Sequence, residues 1–541
     1  MSNNVTSVLF KKEARRKLFE GMEIAANAVT TTLGPRGKTV LIQKKGETPI
    51  VTKDGVTVSK SINLKDPVQR MGAELIREAA AQTNESAGDG TTTATILTYS
   101  MVKEGLKLLE AGFSPKELSR GLERARGTAE TLLLSSSKRL AGSAEIAQIG
   151  TISANGDKKI GELIADAMER VGRDGIITVE DAKGTTTSLD VLEGLQFDRG
   201  YLSPYFVTNT EKMTAAYQDA RVLISDKKIS TMKELVPVLE RVMGARQPLI
   251  IIADDIEGEA LQGLVLNRVN GNLPVVAVKA PGYGMHRHDL LGDIAILAGA
   301  KIASPSTGLK IESMTLQDLG TLKRVVVDAK GTVLVGTGGT KSLVDEHVAT
   351  LKGQLEDLTL TGDEIVKLKT RIAKLAAGVA VIRVGGATEV EMIERKYRIE
   401  DALHATRAAA EEGIVPGGGM ALIGISSALE ASFSGLSEEE RAGASIVLKS
   451  CFAPLRKIVE NCETSADVVI KELLSRRETE EGPRFGWGYN AATGQFTSLI
   501  DEGIIDPVKV TRTALKNAAS VASTFINLDA VVFEEEGGNV Q

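Results

Sequence analysis

Aromatic residues and cysteines are scarce in this chain of 541 residues. Aromatics make up 4% of it, with a single tryptophan, whereas glycine occurs 54 times. A core with so few rings must be built from Ala, Val, Ile and Leu, and so many glycines indicate tight turns, close backbone approaches or hinges. Cys451 and Cys462 are the only cysteines, so we expect free thiols in a reducing compartment. Two cysteines and four scattered histidines argue against a structural zinc site.

A basic excess and a long apolar run are also missing. The net charge of −6 and the pI near 5.7 argue against a strong nucleic-acid surface, and no apolar stretch has the length of a membrane span. The first residues, "MSNNVTSVLFKKEARRKLFEG", carry charges where a secretory signal has its apolar stretch, so no export signal is expected. The length predicts two to four domains.

Helical periodicity dominates the two ends of the chain, and short strands dominate its middle. The amphipathic stretches are 12–31, 66–84 and 92–111 near the start, and 391–412, 440–460 and 508–523 near the end. In between, β-branched runs such as "PLIIIA" and "VVAVKA" alternate with helical stretches at 232–244, 256–269 and 287–298. This alternation predicts an α/β unit with a largely parallel sheet, inserted into a helical domain that both chain ends form.

One polar segment, "ESAGDGTTTAT" at residues 85–95, interrupts the helical pattern. We expect a helix to end before its glycines and another to begin near its threonines. The free N–H groups and the positive dipole end of a helix N-terminus suit phosphate, and Asp89 can hold an Mg²⁺ ion that bridges to phosphate oxygens. The alternative is an ordinary helix cap, with Asp or Thr capping and Gly in the turn. The segment alone leaves both interpretations open.

Two segments before it carry weaker signals. "TTLGPRGKTV" (31–40) approaches a Walker A motif, but Thr32 stands where that motif requires glycine and the segment follows a helix, so it is not a P-loop. Its glycines and proline still predict a rigid loop that a ligand can approach closely. In "VTKDGVTV" (51–58), Asp54 is predicted to lie in the turn of a β-hairpin.

Two further signals lie near the C-terminal end. "EEGIVPGGG" (411–419) predicts that one helix ends at Gly413 and that another begins after the three glycines. Asp401, taken alone, is interpreted as a solvated charge on a helix. None of these signals is specific by itself.

Together and in this order, the segments resemble the group I chaperonins, the bacterial GroEL type of the 60-kDa chaperonin family. The resemblance runs from about residue 10 to 535 and rests on "TTLGPRGKTV", "VTKDGVTV", "GDGTTTAT", "IGTISAN", "FDRGYLSPYF", "ISDKKIS", "IIADDIEGEAL", "VAVKAPGYG", "GGATEVEM", "EDALHATRAA", "PGGG", "YNAATG" and "DPVKVTR". It implies a multidomain α+β fold. Its parts would be an all-helical equatorial domain (1–135 and 413–541), a small α/β intermediate domain (136–193 and 379–412) and an inserted α/β apical domain (194–378).

The resemblance also implies an activity and partners. The chain would be an ATPase that forms one or two homo-heptameric rings in the cytoplasm and encapsulates non-native polypeptides for folding. A co-chaperonin of the GroES type would bind it, and ATP, Mg²⁺ and K⁺ would be its cofactors. No nucleic acid or membrane partner is expected.

A nucleotide site follows from the same resemblance. Asp89 would hold Mg²⁺, Asp401 would align the attacking water, and Asp54 would lie on the opposite side. Main-chain carbonyls of Thr32 and Lys53 would hold K⁺. The remaining nucleotide contacts would be Leu33, Gly34, Pro35, Gly90, Thr91, Thr92, Thr93, Gly418, Asn490, Ala491, Ile504 and Asp506.

Hydrolysis would then depend on a domain movement. Asp401 lies in the intermediate domain and the phosphate loop in the equatorial one, so the acid reaches its place only when the two close. Gly194, Gly378 and Gly413 match hinge positions of the family, although a glycine at a helix end is also explained as a simple C-cap.

Two apical helices, 232–244 and 256–269, carry more apolar residues than one buried face needs. Roughly half of these residues are expected in the core. The resemblance assigns others to binding non-native chains and the mobile loop of the co-chaperonin. The predicted binding residues are Tyr201, Ser203, Tyr205, Phe206, Val236, Leu239, Leu261, Val265 and Leu266.

Three features depart from the family pattern. The tail reads "FEEEGGNVQ" instead of a Gly/Met-rich repeat, the stretch "LLSRRETEEGPRFGWGYN" is longer and more charged than usual, and "GYGMHRHDLL" has Met285 and His288 where charged residues are usual. At Met285 and His288, salt bridges that the family forms in the apical domain are therefore not expected.

Two other classes of protein remain as alternatives. An ATPase or kinase outside the chaperonins is disfavoured by the lack of a Walker A motif and of a substrate-specific catalytic cluster. A divergent relative that binds chains without cycling is disfavoured because Asp54, Asp89 and Asp401 are all present.

The resemblance also identifies positions for contacts between two rings. The basic member of one salt bridge between rings matches Arg456, but its acidic partner falls at Ser465, with Glu463 two residues away. A second pair matches Lys107 and Glu438, where both charges are present. We therefore predict a weaker contact between rings here than in double-ring relatives.

Overall fold

The computed structural model describes residues 6–43, 49–53, 55–140, 142–154, 156–172, 175–182, 184–210, 212–271, 273–337, 341–355, 361–477 and 486–534. The chain divides into two units. Unit 1 contains Met1–Ala165 and Tyr397–Gln541, and unit 2 contains Asp166–Lys396. Both ends of the chain therefore belong to one unit, into which the other is inserted.

The first 171 residues are mainly helical. Their elements are β1 (Thr6–Phe10), α1 (Lys11–Thr30), β2 (Val40–Ile42), β3 (Ile50–Thr52), α2 (Gly55–Ser61), α3 (Pro67–Ala87), α4 (Thr91–Glu110), α5 (Pro115–Ser135), α6 (Ser143–Ser153) and α7 (Lys158–Val171).

Strands and helices alternate in the middle of the chain. The elements are β4 (Ile176–Asp181), β5 (Ser188–Leu192), β6 (Gly194–Phe197), β7 (Ala215–Ser225), β8 (Lys228–Ile229), α8 (Met232–Ala245), β9 (Leu249–Ala253), β10 (Asp255–Ile256), α9 (Gly258–Val269), β11 (Val275–Lys279), α10 (Gly284–Ala298), β12 (Ile302–Ala303), β13 (Gly320–Val327), β14 (Thr332–Val335), α11 (Lys341–Gln354), α12 (Gly362–Ala377) and β15 (Val379–Val384).

The last part is again mainly helical. It contains α13 (Glu389–Glu412), β16 (Ile414–Pro416), α14 (Met420–Ala431), α15 (Glu438–Ser450), α16 (Ala453–Asn461), α17 (Ala466–Arg477), β17 (Trp487–Asn490), β18 (Gln495–Ser498), β19 (Ile505–Pro507), α18 (Val508–Asn527) and β20 (Ala530–Glu534). The multidomain α+β fold that the sequence predicts is confirmed. The three-domain boundaries remain a prediction.

Unit 1 is built on helices that cross with their backbones almost touching. At four glycines (Gly21, Gly72, Gly121 and Gly443), an added Cβ would lie between 1.8 and 2.1 Å from a carbonyl oxygen of the partner helix. The first two join α1 to α3, and the other two join α5 to α15. Any side chain there would push the helices apart, which accounts for part of the high glycine content. The core between them is aliphatic, as the composition indicates, and its largest fully buried side chains include Leu18, Met22, Ile76, Leu97, Met101 and Phe525.

Two-stranded ribbons accompany these helices within the described residues of unit 1. β1 pairs with β20, β2 with β3, β16 with β19, and β17 with β18, all antiparallel. The ribbon of β16 and β19 bears directly on the site described below, because its register aligns Val415 with Asp506.

Unit 2 contains a seven-stranded sheet in the order β11-β9-β7-β13-β14-β6, with β12 beside β7. β7, β9, β11 and β12 run parallel, whereas β13 is antiparallel to both β7 and β14. The prediction of a largely parallel sheet is therefore correct for β7, β9, β11 and β12 and wrong for the pairings that involve β13 and β14, which are antiparallel. The turn "DAKG" explains why: the Asp328 carboxylate accepts hydrogen bonds from the N–H groups of Lys330 and Gly331 at 2.6 and 2.7 Å, and so short a turn joins antiparallel strands.

A second, three-stranded sheet lies in the same unit. β15 is its central strand, parallel to β4 and antiparallel to β5. β15 is buried along nearly its whole length, as a central strand covered on both faces should be.

Two other local predictions also fail. "VTKDGVTV" forms a strand followed by α2 rather than a hairpin, because Val58 packs with Val29 and Ile42 and this contact outweighs its β propensity. The stretch 440–460 forms two helices, α15 and α16, with the break just before Pro454, whose ring cannot continue a preceding helix.

None of the described helices is both long enough and apolar enough to cross a lipid bilayer.

Candidate nucleotide site

The loop between α3 and α4 has the geometry of an anion-binding turn. Gly88 ends α3 in the left-handed region with φ of 73°, and Gly90 precedes α4 with φ of 87°. No described side chain caps α4, and the N–H groups of a helix's first turn have no partner within the helix itself. Thr91, Thr92 and Thr93 form that first turn. An ordinary side-chain cap, the alternative left open by the sequence, is absent at this described helix start.

Asp89 lies at the centre of this loop. Its Oδ1 accepts a hydrogen bond from Gly90 N at 2.5 Å, and its Oδ2 accepts one from the Ser153 hydroxyl at 3.3 Å. Ser153 is the last residue of α6, so an element about sixty residues further on fixes the orientation of the carboxylate. A carboxylate beside the N-terminus of a helix suits an Mg²⁺–phosphate pair.

Asp506 is a second acid close to Asp89. Burial and the negative charge of Asp89 together raise the pKa of Asp506 to about 7. Asp89 and Asp506 are both half-buried. Two carboxylates held close together disfavour double ionisation, and a bound divalent cation removes that penalty. The chemistry of these donors therefore fits the implied Mg²⁺.

The helix that carries Asp401, α13, packs against the same loop within unit 1. An added Cβ on Gly88 would lie 2.3 Å from Cβ of His404, so the glycine makes room for the histidine. One turn further along, Ala408 packs with Ala87 and Val510. Asp401 is exposed and lies one turn before His404, on the side of α13 that faces this loop.

The segment after α1 forms the rigid loop that its glycines and proline predict. Lys38 N donates to Thr31 O at 2.9 Å and Gly37 N to Gly34 O at 3.0 Å, which closes the loop on itself. An added Cβ on Gly37 would lie 2.0 Å from Thr32 O, so only glycine fits. Leu33 is half-buried, and Gly34 and Pro35 are exposed.

Three further segments meet around the ribbon of β16 and β19. Gly417 N donates to Ile504 O at 2.9 Å, and the glycine that follows, Gly418, has φ of 64°. The side chain of Asn490 donates to Glu502 and accepts from Ala492 N at 2.9 Å. Gly418, Ile504 and Asp506 thus come together, and Asn490 is tied to the turn that precedes Ile504.

Two further predicted site residues, Lys53 and Asp54, lie just before α2. Lys53 is exposed, and no described residue links it to Thr32. Asp54 lies outside the described residues. Its neighbour Gly55 touches the start of α4, since an added Cβ on it would lie 2.4 Å from Thr92 Oγ1.

The predicted substrate-binding residues of unit 2 fall into two groups. Tyr205 (68% exposed), Val236 (40%) and Leu266 (60%) are open to solvent, and Tyr201, Ser203, Leu261 and Val265 are half-buried. Phe206 (0%) and Leu239 (5%) are buried in the core of the unit. For these two, the prediction of a place on an exposed surface is wrong, because their apolar side chains fill the space between the helices and the seven-stranded sheet.

The predicted hinge glycines have close neighbours. An added Cβ on Gly194 would lie 2.2 Å from Val379 Cγ2, and one on Gly378 would lie 2.8 Å from Leu192 O. Gly413 ends α13 with φ of 90° and faces Lys138 O. The C-cap explanation of Gly413 is consistent with this geometry, and a hinge role remains a prediction.

Sequence reasoning did not single out Ser153, His404 or the residues of α16 that touch the loop after α1. Ser153 lies in "IGTISAN" and His404 in "EDALHATRAA", two of the motifs that carried the resemblance, so a signal was present. No pattern within the sequence indicates which distant residue each one contacts.

Comparison with known proteins identifies the family that has this architecture. The sequence profile of the TCP-1/cpn60 chaperonin family matches residues 25–536. Two crystal structures of the chaperonin gp146 from the bacteriophage EL 2 (Pseudomonas aeruginosa), both solved in the presence of ATP-BeFx, have a similar fold. Form II gives a TM-score of 0.67 at 21% identity and form I one of 0.62 at 22%, each over 98% of this chain and 99% of that chain. A profile match over nearly the whole length, on a fold with the same multidomain α+β composition, shows that this chain belongs to the TCP-1/cpn60 chaperonin family.

Proposed function

We propose that this chain is an ATP-hydrolysing chaperonin subunit of the group I type. It assembles into rings, captures non-native polypeptides and encapsulates them for folding in the cytoplasm, with a co-chaperonin of the GroES type as its partner. The observation that carries the proposal is the loop of Gly88, Asp89 and Gly90, which offers a cation-binding carboxylate beside the unpaired N–H groups of α4.

The residues of the site have separate roles in this proposal. Asp89 holds Mg²⁺, with Asp506 close by, and the first turn of α4 binds phosphate. The loop after α1 and the segments at Gly418, Asn490, Ala491 and Ile504 hold the rest of the nucleotide. Mg²⁺ supplies charge neutralisation at the phosphates, which is the main requirement of phosphoryl transfer. Asp401 orients the water, together with Asp54. K⁺ is held by main-chain carbonyls of Thr32 and Lys53.

Capture of non-native chains is supported by the exposed apolar side chains of α8, α9 and the turn Pro204–Phe206. α9 packs against both of the others, so these side chains belong to adjacent elements. The exposed members are Tyr205, Val236, Met243, Leu266 and Val269. Patches of this kind bind apolar segments with little sequence preference.

Self-association is supported by two of the ribbons in unit 1. Val8 and Val532 face each other across β1 and β20 and are 42% and 59% exposed, and Leu41 and Val51 do so across β2 and β3 at 67% and 65%. A short exposed ribbon with an apolar face and unpaired edges is suited to strand addition from a second copy of the chain.

The test combines three measurements on the full chain. We expect ATP hydrolysis that requires Mg²⁺, suppression of the aggregation of a chemically denatured enzyme, and ring-shaped particles in negative-stain images. Hydrolysis without capture would favour an ATPase of another kind, and capture without hydrolysis would favour a non-cycling relative. Either result contradicts the proposal.

A further inference from the structure

The last turn of α16 contacts the loop that follows α1. Asn461 Nδ2 lies 3.0 Å from Thr30 O and 2.9 Å from Leu33 O, with Thr31 O further away at 3.5 Å. Thr30 is the last residue of α1, and carbonyls at the end of a helix have no partner in their own helix. One amide side chain therefore binds both the last carbonyl of α1 and the turn after it, from more than four hundred residues away in sequence.

The carbonyls of this turn can be followed one by one. That of Thr30 accepts from both Leu33 N, at 3.2 Å, and Asn461, and that of Leu33 accepts from Asn461. That of Thr31 accepts from Lys38 N, and that of Gly34 accepts from Gly37 N. Among the described residues, no donor is recorded for Thr32 O. Asn461 thus binds the carbonyl of Leu33, directly after Thr32, and that of Thr30, two residues before it, so it holds the main chain of the turn on both sides of Thr32.

Two residues near Asn461, Ile458 and Cys462, make further contacts with predicted parts of the site. An added Cβ on Gly34, whose φ is 87°, would lie 3.1 Å from Cγ2 of Ile458, so this side chain packs directly against the loop. The thiol of Cys462 donates to Ala491 O at 3.4 Å. The end of α16 therefore touches two segments that the proposed function places against the nucleotide.

We propose that Asn461 is a positioning residue for the nucleotide, holding the main chain of residues 30–34 in the shape that receives it. This inference rests on the proposed function and assigns nucleotide affinity, rather than the rate of the chemical step, to this side chain. Asn461 does not touch the reacting atoms. It acts by ordering the loop before the nucleotide arrives, which lowers the entropy cost of binding.

The experiment compares two variants with a matched control. Asn461→Ala removes both hydrogen bonds and should raise the KM for ATP about tenfold. Asn461→Asp has the same shape but places a carboxylate against carbonyl oxygens, and should raise the KM about a hundredfold. In both, kcat should stay within about twofold of the unmodified chain, as expected when binding of the ground state and of the transition state is weakened equally. The control is Asn527→Asp, since Asn527 also donates to a main-chain carbonyl of unit 1, at 2.9 Å, but at the far end of α18.

The experiment distinguishes failure of this inference from failure of the proposed function. A folded Asn461→Asp variant that binds ATP as tightly as the unmodified chain would overturn the inference, as would a loss of kcat at unchanged KM, and both leave the proposed function standing. If Asn461→Ala does not fold, Asn461→Gln keeps the amide but displaces its nitrogen by one methylene, and its Kd for ATP must still rise. An unmodified chain with no measurable affinity for ATP would overturn the inference and the proposed function together.

Discussion

Asp89 and Asp401 are both acids of the candidate site, but their surroundings differ. Asp89 is held by Gly90 N and the Ser153 hydroxyl between two glycines of left-handed conformation, whereas Asp401 is exposed on the surface of α13. A carboxylate fixed in a loop suits a cation that must be held in one place. An exposed one on a separate element suits a water that must be aligned only for the reaction.

The two acids should therefore fail in different ways. Asp401→Ala should leave ATP affinity nearly unchanged and slow hydrolysis about 10²- to 10⁴-fold, which is typical for the loss of a group that positions the nucleophile. Asp89→Asn should instead weaken Mg²⁺-dependent ATP binding. Isothermal titration and single-turnover hydrolysis on both variants separate the effects. Lost affinity with normal turnover of bound ATP in Asp401→Ala would contradict the assigned role.

Asp506 should make stability depend on pH. Its pKa is raised to about 7 in the folded chain, above the value near 3.9 expected when unfolded. The unfolded state therefore releases this proton first. The stability contributed by the protonated carboxyl is fully present below about pH 4 and is lost as the pH rises toward 7.

The measurement is the melting temperature without nucleotide or Mg²⁺. Asp506→Asn, which cannot ionise, should melt above the unmodified chain at pH 7.5 and close to it at pH 4.5. Added Mg²⁺ should reduce the difference, because the cation stabilises the ionised pair. A constant difference at both pH values would show that the raised pKa is not its cause.

At the scale of elements, α8 and α9 show how similar apolar residues are divided between core and surface. Leu239 on α8 is 5% exposed, whereas Leu266 on α9 is 60% exposed. Both are apolar positions of amphipathic helices, and sequence spacing alone assigns them the same role. The packing of each helix on the seven-stranded sheet decides which one is available to a bound chain.

Substitution with serine should separate these roles. Leu266→Ser should leave the melting temperature almost unchanged and weaken capture of a denatured enzyme. Leu239→Ser should lower the stability of the unit by about 2–5 kcal/mol, because it empties core volume and buries a hydroxyl. Thermal unfolding and aggregation assays on both variants are sufficient. Unchanged capture by Leu266→Ser would contradict the role of the exposed patch.

The contact between α13 and the phosphate loop gives a second prediction at this scale. Gly88→Ala should slow hydrolysis, because a Cβ at that position would lie 2.3 Å from Cβ of His404 and push α13 away. Gly112→Ala is the matched control: Gly112 has φ of 93°, but an added Cβ there has no neighbour within 4 Å. It should cost only the strain of a left-handed residue, about 1–2 kcal/mol, without changing kcat. Equal kcat values for the two variants would contradict the steric argument.

At the scale of the whole molecule, three of the four charges predicted to join two rings have partners within the chain. Arg456 pairs with Asp467 at 2.7 Å, and Lys107 pairs with Glu104 at 2.5 Å. Glu463, the substitute acid, lies 3.5 Å from Lys38. These intrachain pairs compete with any partner in a second ring, which supports the prediction of a weak contact.

We therefore expect single rings in at least one nucleotide state. Exposed ion pairs contribute about 0–1 kcal/mol each, but a ring repeats each loss at every subunit. Mass photometry without nucleotide, with ADP and with ATP should show the single-ring population, and Ser465→Glu should reduce it. Double rings that persist at nanomolar concentration in all three states would contradict the prediction.

Most of the site could be located from the sequence, because its residues lie in short contiguous motifs. "GDGTTTAT" encodes the end of α3, the turn and the start of α4 in eight residues, and the glycines have their left-handed angles as a local requirement. The residues that order the site were not found from the sequence. Ser153, His404 and Asn461 each act on a loop far away in the chain, and no local pattern reports such a contact.

The sequence by itself determined the helical ends, the inserted α/β unit, the family and the loop around Asp89, because periodicity, turn chemistry and contiguous motifs are local properties of a chain. Only the tertiary structure decided that α2 is a helix, that β13 pairs antiparallel with the distant strand β7, and that Phe206 and Leu239 are core. It also decided that Asn461 holds the turn after α1. Each of these depends on which distant segments share the same space, and burial and hydrogen bonding between such segments outweigh local propensity.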